Sequence, residues 1–176
     1  MLTRIDWDWE PGSREIANIS QWQKKFNWVE EPYASPNGEK IAAIVNLAEG
    51  EFNVCVNGDT WQTVFDKIWN LRFAPDGRLT AIVSEMGEWT VAVDGTPWDN
   101  RFGYVWNLMF SPDGNNIAVA VQQDMAYGMV LNNVVWEETF SNMTHPTLSP
   151  DGTRTAAAVQ VADFGEGEIH KFQEGV

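Results

Sequence analysis

The sequence holds one cysteine, Cys55, in 176 residues. A lone cysteine closes no internal disulfide, so nothing in the chain asks for an oxidising compartment. It also excludes an iron–sulfur cluster and a Cys-x-x-Cys-His haem attachment. Imidazole is nearly as scarce, limited to His145 and His170. His145, next to Pro146, reads as an ordinary strand-end residue. Positive charge is short as well: 11 Lys and Arg stand against 25 Asp and Glu, for a net charge of −14, and Lys24-Lys25 is the one basic doublet. Such a surface repels phosphate, which makes nucleic acid and anionic membrane poor partners and favours basic protein patches or cations. The same charge also keeps an aromatic-rich chain soluble. No apolar run approaches the roughly 20 residues that span a bilayer. Met1 to Glu10 carries Asp6, Asp8 and Glu10 and lacks the apolar stretch of a secretory signal. The expected location is cytoplasmic, peripheral to the inner membrane only through partners.

Catalytic signatures are missing too. There is no Gly-x-Ser-x-Gly elbow, no Walker A loop and no Gly-x-Gly-x-x-Gly; Gly165-Glu166-Gly167 is acidic, the wrong sign for phosphate. No catalytic, cofactor-binding or metal-binding residue is assigned, and no cofactor is expected. Asp6, Asp8 and Glu10 alternate with Ile5, Trp7 and Trp9. That pattern reads as a two-faced strand able to protect an unfilled sheet edge.

What the chain has in excess is tryptophan, ten in all, and four of the ten are periodic. Four turns share one pattern: Ser35-Pro36-Asn37-Gly38, Ala74-Pro75-Asp76-Gly77, Ser111-Pro112-Asp113-Gly114 and Ser149-Pro150-Asp151-Gly152. Their prolines lie 39, 37 and 38 residues apart. Fourteen residues before each proline stands a tryptophan, Trp22, Trp61, Trp98 and Trp136, and four residues after that a phenylalanine, Phe26, Phe65, Phe102 and Phe140. Six residues after each proline comes an alanine, Ala42, Ala81, Ala118 and Ala156. Proline presets φ, Asp or Asn tolerates the next position and glycine accepts positive φ, so these are turns. Turn chemistry, rather than calcium binding, accounts for Asp76, Asp113 and Asp151.

Each unit reads as β-structure. An aromatic run precedes the turn and a small or β-branched run follows it. A third strand alternates, as in Phe52-Val54-Val56, and ends in Asn57-Gly58, Asp94-Gly95 or Asn132-Asn133, pairs suited to tight hairpins. No segment carries a convincing helical period; the best candidate, residues 14–26, has too few apolar residues on one face. Four-stranded units of about 38 residues are the mark of propeller blades. One such unit buries too little apolar surface to stand alone, so neighbours must stack. The expected fold is all-β, a propeller-type array of four blades over 22–60, 61–97, 98–135 and 136–176, with residues 1–21 as an N-terminal strand segment packing on it. Two chains could complete an eight-bladed ring, so a dimer is favoured. The repeated Trp and Phe are inter-blade core. Tryptophans outside that position, Trp28, Trp69, Trp89 and Trp106, are candidate protein contacts, with extra core as the alternative.

The Ser-Pro-Asp-Gly turn followed by a small-residue strand resembles the WD-repeat-like propellers of bacterial Tol-type periplasmic proteins, over Trp22 to Val159. Trp69-Asn70-Leu71, Val105 through Gly114, Val121-Gln122-Gln123-Asp124-Met125 and Lys171-Phe172-Gln173-Glu174-Gly175 are similar to the tryptophan-rich subunit of the transmembrane electron-transfer (Tmc) complex of sulfate-reducing bacteria. That resemblance implies more blades than four and a cofactor-free accessory subunit beside cytochrome and iron–sulfur subunits. It brings no catalytic residues. The expected function is a non-catalytic protein-interaction scaffold. A small-molecule or carbohydrate-binding propeller is the alternative, with a propeller enzyme using channel carboxylates behind it.

Overall fold

A computed structural model describes residues 13–162. The expected strand at Ile5-Trp7-Trp9 lies outside the described residues. The described residues are all-β apart from one short helix, and their strands form four antiparallel sheets in chain order.

Sheet 1 comprises β1 (Trp28–Val29), β2 (Tyr33–Ala34), β3 (Ile41–Ala48), β4 (Glu51–Val56) and β5 (Asp59–Thr60), with β1 and β2 both pairing β3 as a broken inner strand. Sheet 2 is β6 (Lys67–Phe73), β7 (Leu79–Glu85), β8 (Glu88–Val93) and β9 (Thr96–Pro97). Sheet 3 repeats it with β10 (Tyr104–Phe110), β11 (Ile117–Gln123), β12 (Ala126–Leu131) and β13 (Val134–Val135). Sheet 4 has β14 (Met143–Leu148) and β15 (Thr155–Val159) among the described residues.

In sheets 1, 2 and 3 the outer strand extends past its last named strand. Trp61 donates its N–H to the Val54 carbonyl, and Phe65 exchanges both backbone bonds with Phe52. Trp89 with Phe102 and Tyr127 with Phe140 repeat the exchange. The Trp-x-x-x-Phe segment therefore ends one sheet, whereas the boundaries drawn from the sequence open a unit with it. Side chains secure the irregular stretch: Asn53 Nδ2 donates to the Trp61 and Thr63 carbonyls, and the Thr90 hydroxyl to that of Asn100.

The sheets stack face to face through alternating residues of their second strands. Ala42 and Ile44 of sheet 1 meet Leu79, Ala81 and Val83 of sheet 2. Ile82 of sheet 2 meets Ile117, Val119 and Val121 of sheet 3, and Ala120 of sheet 3 meets Ala157 and Val159 of sheet 4. These apolar clusters join 1 to 2, 2 to 3 and 3 to 4 among the described residues. Ala156 and Ala158, on the forward face of sheet 4, are exposed.

This pairing corrects one landmark. The second turn is a residue shorter than the others: the Ala74 N–H bonds to the Arg78 carbonyl, while Ser35, Ser111 and Ser149 reach one residue further, to Lys40, Asn116 and Arg154. Ala81 therefore occupies the place of Ala43 and Val119 and faces backward, whereas Ala42 and Ala118 share their place with Thr80 and point to the next sheet.

A second correction is the helix α1 (Ile19–Lys25). Seven residues are too few to show a period in the sequence, but the elements that stabilise a short helix are present. Asn18 caps it by accepting from the Gln21 N–H, and Lys24 and Lys25 complement the dipole at its last turn. Its apolar face, Trp22 and Phe26, is buried on Ala43, Val45 and Cys55, the back face of sheet 1.

The turns form a second seam. In the third, the Ser111 hydroxyl donates to Asp113 at 2.5 Å while accepting from the Asn116 N–H at 2.9 Å. The same bond from Ser149, with help from Thr153, holds Asp151 at about 2, and Asp113 is lowered likewise. Arg78 in the second turn donates to the Gly114 carbonyl at 2.6 Å and the Asn115 carbonyl at 3.2 Å while paired with Asp76 at 2.5 Å. It straps sheet 2 to sheet 3. Arg78→Ala is expected to cost about 1–2 kcal/mol in urea denaturation, the range for a charge-assisted bond that is partly solvated. A cost near zero would show that the strap is idle.

Candidate functional site

The Pro-Asp/Asn-Gly turns occupy one end of the sheets. At the opposite end lie the β3–β4, β7–β8 and β11–β12 hairpins, and here aromatic residues collect. Register explains why. Trp69 pairs with Ile82 and Trp106 with Ala120, so both tryptophans take the forward face. Asn70 and Asn107 follow them with φ of 54° and 56°, each within a register shift that tilts the inner strand. Asn is among the few residue types that tolerate this conformation. Phe52, Trp89 and Tyr127 stand in matching positions on the third strands, opposite Asn46, Ser84 and Gln122.

The result is a continuous ladder across sheets 2 and 3. Trp69 and Trp89 meet edge to face at 6.1 Å between centroids. Tyr104 lies 5.9 Å from Trp69 and 6.1 Å from Trp89, and stacks on Trp106 at 5.8 Å with 25° between planes. Trp106 then meets Tyr127 at 6.1 Å. Trp28 extends this edge onto sheet 1, lining a recess with Trp69 and Trp89. A second recess of about 480 Å³ is bounded by Tyr104, Trp106, Gln122 and Tyr127.

Of the tryptophans singled out from the sequence, Trp28 is half exposed, and Trp69, Trp89 and Trp106 are half buried. They share one edge, with extensive ring contact to one another and to two tyrosines that the sequence reading passed over. Tyr104 and Tyr127 each sit beside a residue pairing that only the register reveals. Met86 and Met125 are 92% and 80% exposed at the β7–β8 and β11–β12 tips, so apolar surface continues to the hairpins. Two donors at the seam between sheets 2 and 3, Trp69 Nε1 and Arg72 Nε, are buried without an acceptor. The Arg72 guanidinium lies over the Phe110 ring, 5.0 Å from its centroid, and burial lowers its pKa.

The repeated aromatics sit elsewhere. Trp22, Phe26, Phe65 and Phe102 are buried; Trp61, Trp98, Trp136 and Phe140 are half buried. Trp61 lies over the Gly95 hairpin of sheet 2, and Trp22 over the Gly58 hairpin of sheet 1. Trp22 thus takes in a helix the post that Trp61 takes on an outer strand. Trp136 Nε1 donates to the Thr155 hydroxyl of sheet 4 at 2.8 Å. His145, read as a strand-end residue, has φ of 52° and stands in the shifted stretch of β14, where Asn70 and Asn107 stand in β6 and β10. Cys55 is buried, and burial pushes its thiol up.

Among the described residues no group of three or more His, Cys, Asp or Glu is placed to hold a metal ion, and no helix is long and apolar enough to cross a membrane. No protein-family model and no curated protein matches the chain. Among solved structures it is similar to a protein of Bacteroides uniformis ATCC 8492 described as a candidate 6-phosphogluconolactonase, at 16% identity and a TM-score of 0.37. The match covers 74% of this chain and 47% of that one, so this chain spans less than half of that protein, and the likeness is too loose to carry an activity across.

Proposed function

We propose that the four sheets are successive blades of a β-propeller-type array, and that the array is a non-catalytic scaffold docking a partner protein along its aromatic edge. The observation that carries the reading is the ladder Trp69, Trp89, Tyr104, Trp106 and Tyr127, prolonged by Trp28, Met86 and Met125. Half-buried aromatics flanked by exposed apolar residues are the composition of an interface, and a rigid sheet presents them at little entropic cost. The acidic net charge disfavours nucleic acid and suits a basic protein surface. From the sequence resemblance, the proposed partners are the cytochrome and iron–sulfur subunits of a membrane-associated electron-transfer complex, with this chain an accessory subunit that holds no redox centre. The proposed location is cytoplasmic, at the inner membrane through those partners.

Dimerisation enters at the exposed forward face of sheet 4, which a second copy would cover. Head-to-tail closure into an eight-bladed ring would need the back face of sheet 1, and there α1 is already seated.

The docking test is co-purification from a host that carries such a complex. The wild-type chain should retain haem-absorbing and iron–sulfur subunits, and Tyr104→Ala with Trp106→Ala should reduce the yield about tenfold or more while the far-ultraviolet spectrum stays that of the wild type. Equal retention by both chains, or none by the wild type, refutes the reading. The recess beside Tyr104, Trp106 and Tyr127 favours a second reading, stacking of a carbohydrate or small ring compound. A saturable rise in melting temperature with an oligosaccharide panel, abolished by Trp106→Ala, would select it.

A further inference from the structure

One recess on the aromatic edge has a chemistry that selects a particular side chain. It lies between sheets 1 and 2, measures about 300 Å³, and is walled by Trp28, Phe52, Trp69 and Trp89, with Glu30 and Lys67 among its lining. The Glu30 N–H donates to the Ile44 carbonyl at 2.9 Å, which sets Glu30 in the inner strand of sheet 1 opposite a residue that faces sheet 2. Glu30 is half buried, and no hydrogen bond or ion pair reaches its carboxylate among the described residues. Lys67 is exposed and makes no ion pair with it. Burial pushes the Glu30 carboxyl above the usual carboxylate range. A carboxylate drawn out of water without a counter-charge is costly, and an incoming cation removes that cost.

We propose that this recess receives a guanidinium group, the side chain of an arginine on the docked partner. The inference deepens the docking reading and rests on it. The planar guanidinium fork suits a carboxylate through two parallel N–H bonds, and its faces stack on indole and phenyl rings. It is also less strongly hydrated than an ammonium group, so it enters an aromatic recess at smaller cost. The net charge of −14 concentrates cations at the surface and repels anionic ligands. No other pairing of one unsatisfied carboxylate with four aromatic rings occurs in the recesses described above.

The test uses the whole chain and three probes: acetyl-arginine-amide, its neutral isostere acetyl-citrulline-amide, and free arginine. The readout is the indole N–H signals of Trp28, Trp69 and Trp89. The blocked arginine should shift them saturably and the citrulline probe should not. Glu30→Gln should weaken arginine binding about tenfold, with the probe-free indole spectrum otherwise that of the wild type. Trp28→Ala, a change at a half-exposed residue, should weaken it too. Equal binding of the citrulline probe, an unchanged affinity in Glu30→Gln, or no response to any probe overturns the proposal. Tighter binding of free arginine than of the blocked form also overturns it, by assigning the recess to a small molecule. Co-purification is read separately, so this inference can fail while docking stands.

Discussion

Gly114→Ala is expected to lower the unfolding free energy by about 3 kcal/mol, while Gly77→Ala costs about 1. The two glycines hold the same place in successive turns and have similar φ, +77° and +87°. Both substitutions carry the strain of an L-residue in the left-handed region, about 1–2 kcal/mol. They differ in what a methyl group meets. At Gly77 nothing lies within 4 Å. At Gly114 a Cβ would stand 2.8 Å from the Asp76 Cβ and 2.9 Å from its Cγ, with the Asp76 backbone nitrogen closer still. Backbone cannot swing aside as a flexible side chain can, so the Arg78 strap and the turn must move together, adding about 1–3 kcal/mol of overpacking. Against a net stability of order 5–15 kcal/mol, that is a large fraction. Urea denaturation of the pair measures it, and equal costs at both glycines would mean that the seam between turns is loose.

Phe65→Ala should cost about 3–5 kcal/mol, the range for truncating a buried ring. Phe65 is 2% exposed and packs in the cluster that joins sheets 1 and 2, among Ala42, Ile44, Leu71 and Val83. Its ring meets Trp61 edge to face at 6.5 Å, and its backbone closes the outer strand on Phe52. Phe140 holds the equivalent place at the end of sheet 3 and meets Trp136 at 6.3 Å, yet it is half buried where Phe65 is buried. Phe140→Ala should therefore cost clearly less. Chemical denaturation of both variants decides it: a cost at Phe140 matching that at Phe65 would falsify the ranking of the two seams.

Much of the candidate site was legible because tryptophans outside the repeat register stand out against a periodic background. Trp28, Trp69, Trp89 and Trp106 could be named that way. Tyr104 and Tyr127 could not, because an aromatic at the start of a strand run carries no sign of its face. Their membership depends on the pairing of Tyr104 with Gln122 and of Gln122 with Tyr127, which puts both on one face. Asn70 and Asn107, at matching positions with positive φ, were a signal for the register shift after Trp69 and Trp106, and His145 at the third place obscured it. Glu30 was illegible for a related reason: it precedes Glu31 and Pro32 in a stretch that reads as a loop, and only its bond to Ile44 shows that it lies in a sheet.

From residue order alone came the all-β class, the four turns with their glycines, and the recurrence of one Trp and one Phe per unit. These are local matters, since turn chemistry and period-two alternation act over a few neighbouring residues. The tertiary structure decided the rest. One residue fewer in the second turn moved Ala81 to the opposite face. A seven-residue helix formed where packing on Ala43, Val45 and Cys55 outweighed a weak helical pattern. The outer strand joined the preceding sheet, where the carbonyls of Val54 and Phe52 and their counterparts accept its N–H groups. Burial and hydrogen-bond satisfaction are sums over residues far apart in sequence, and no local pattern encodes which neighbour will complete them.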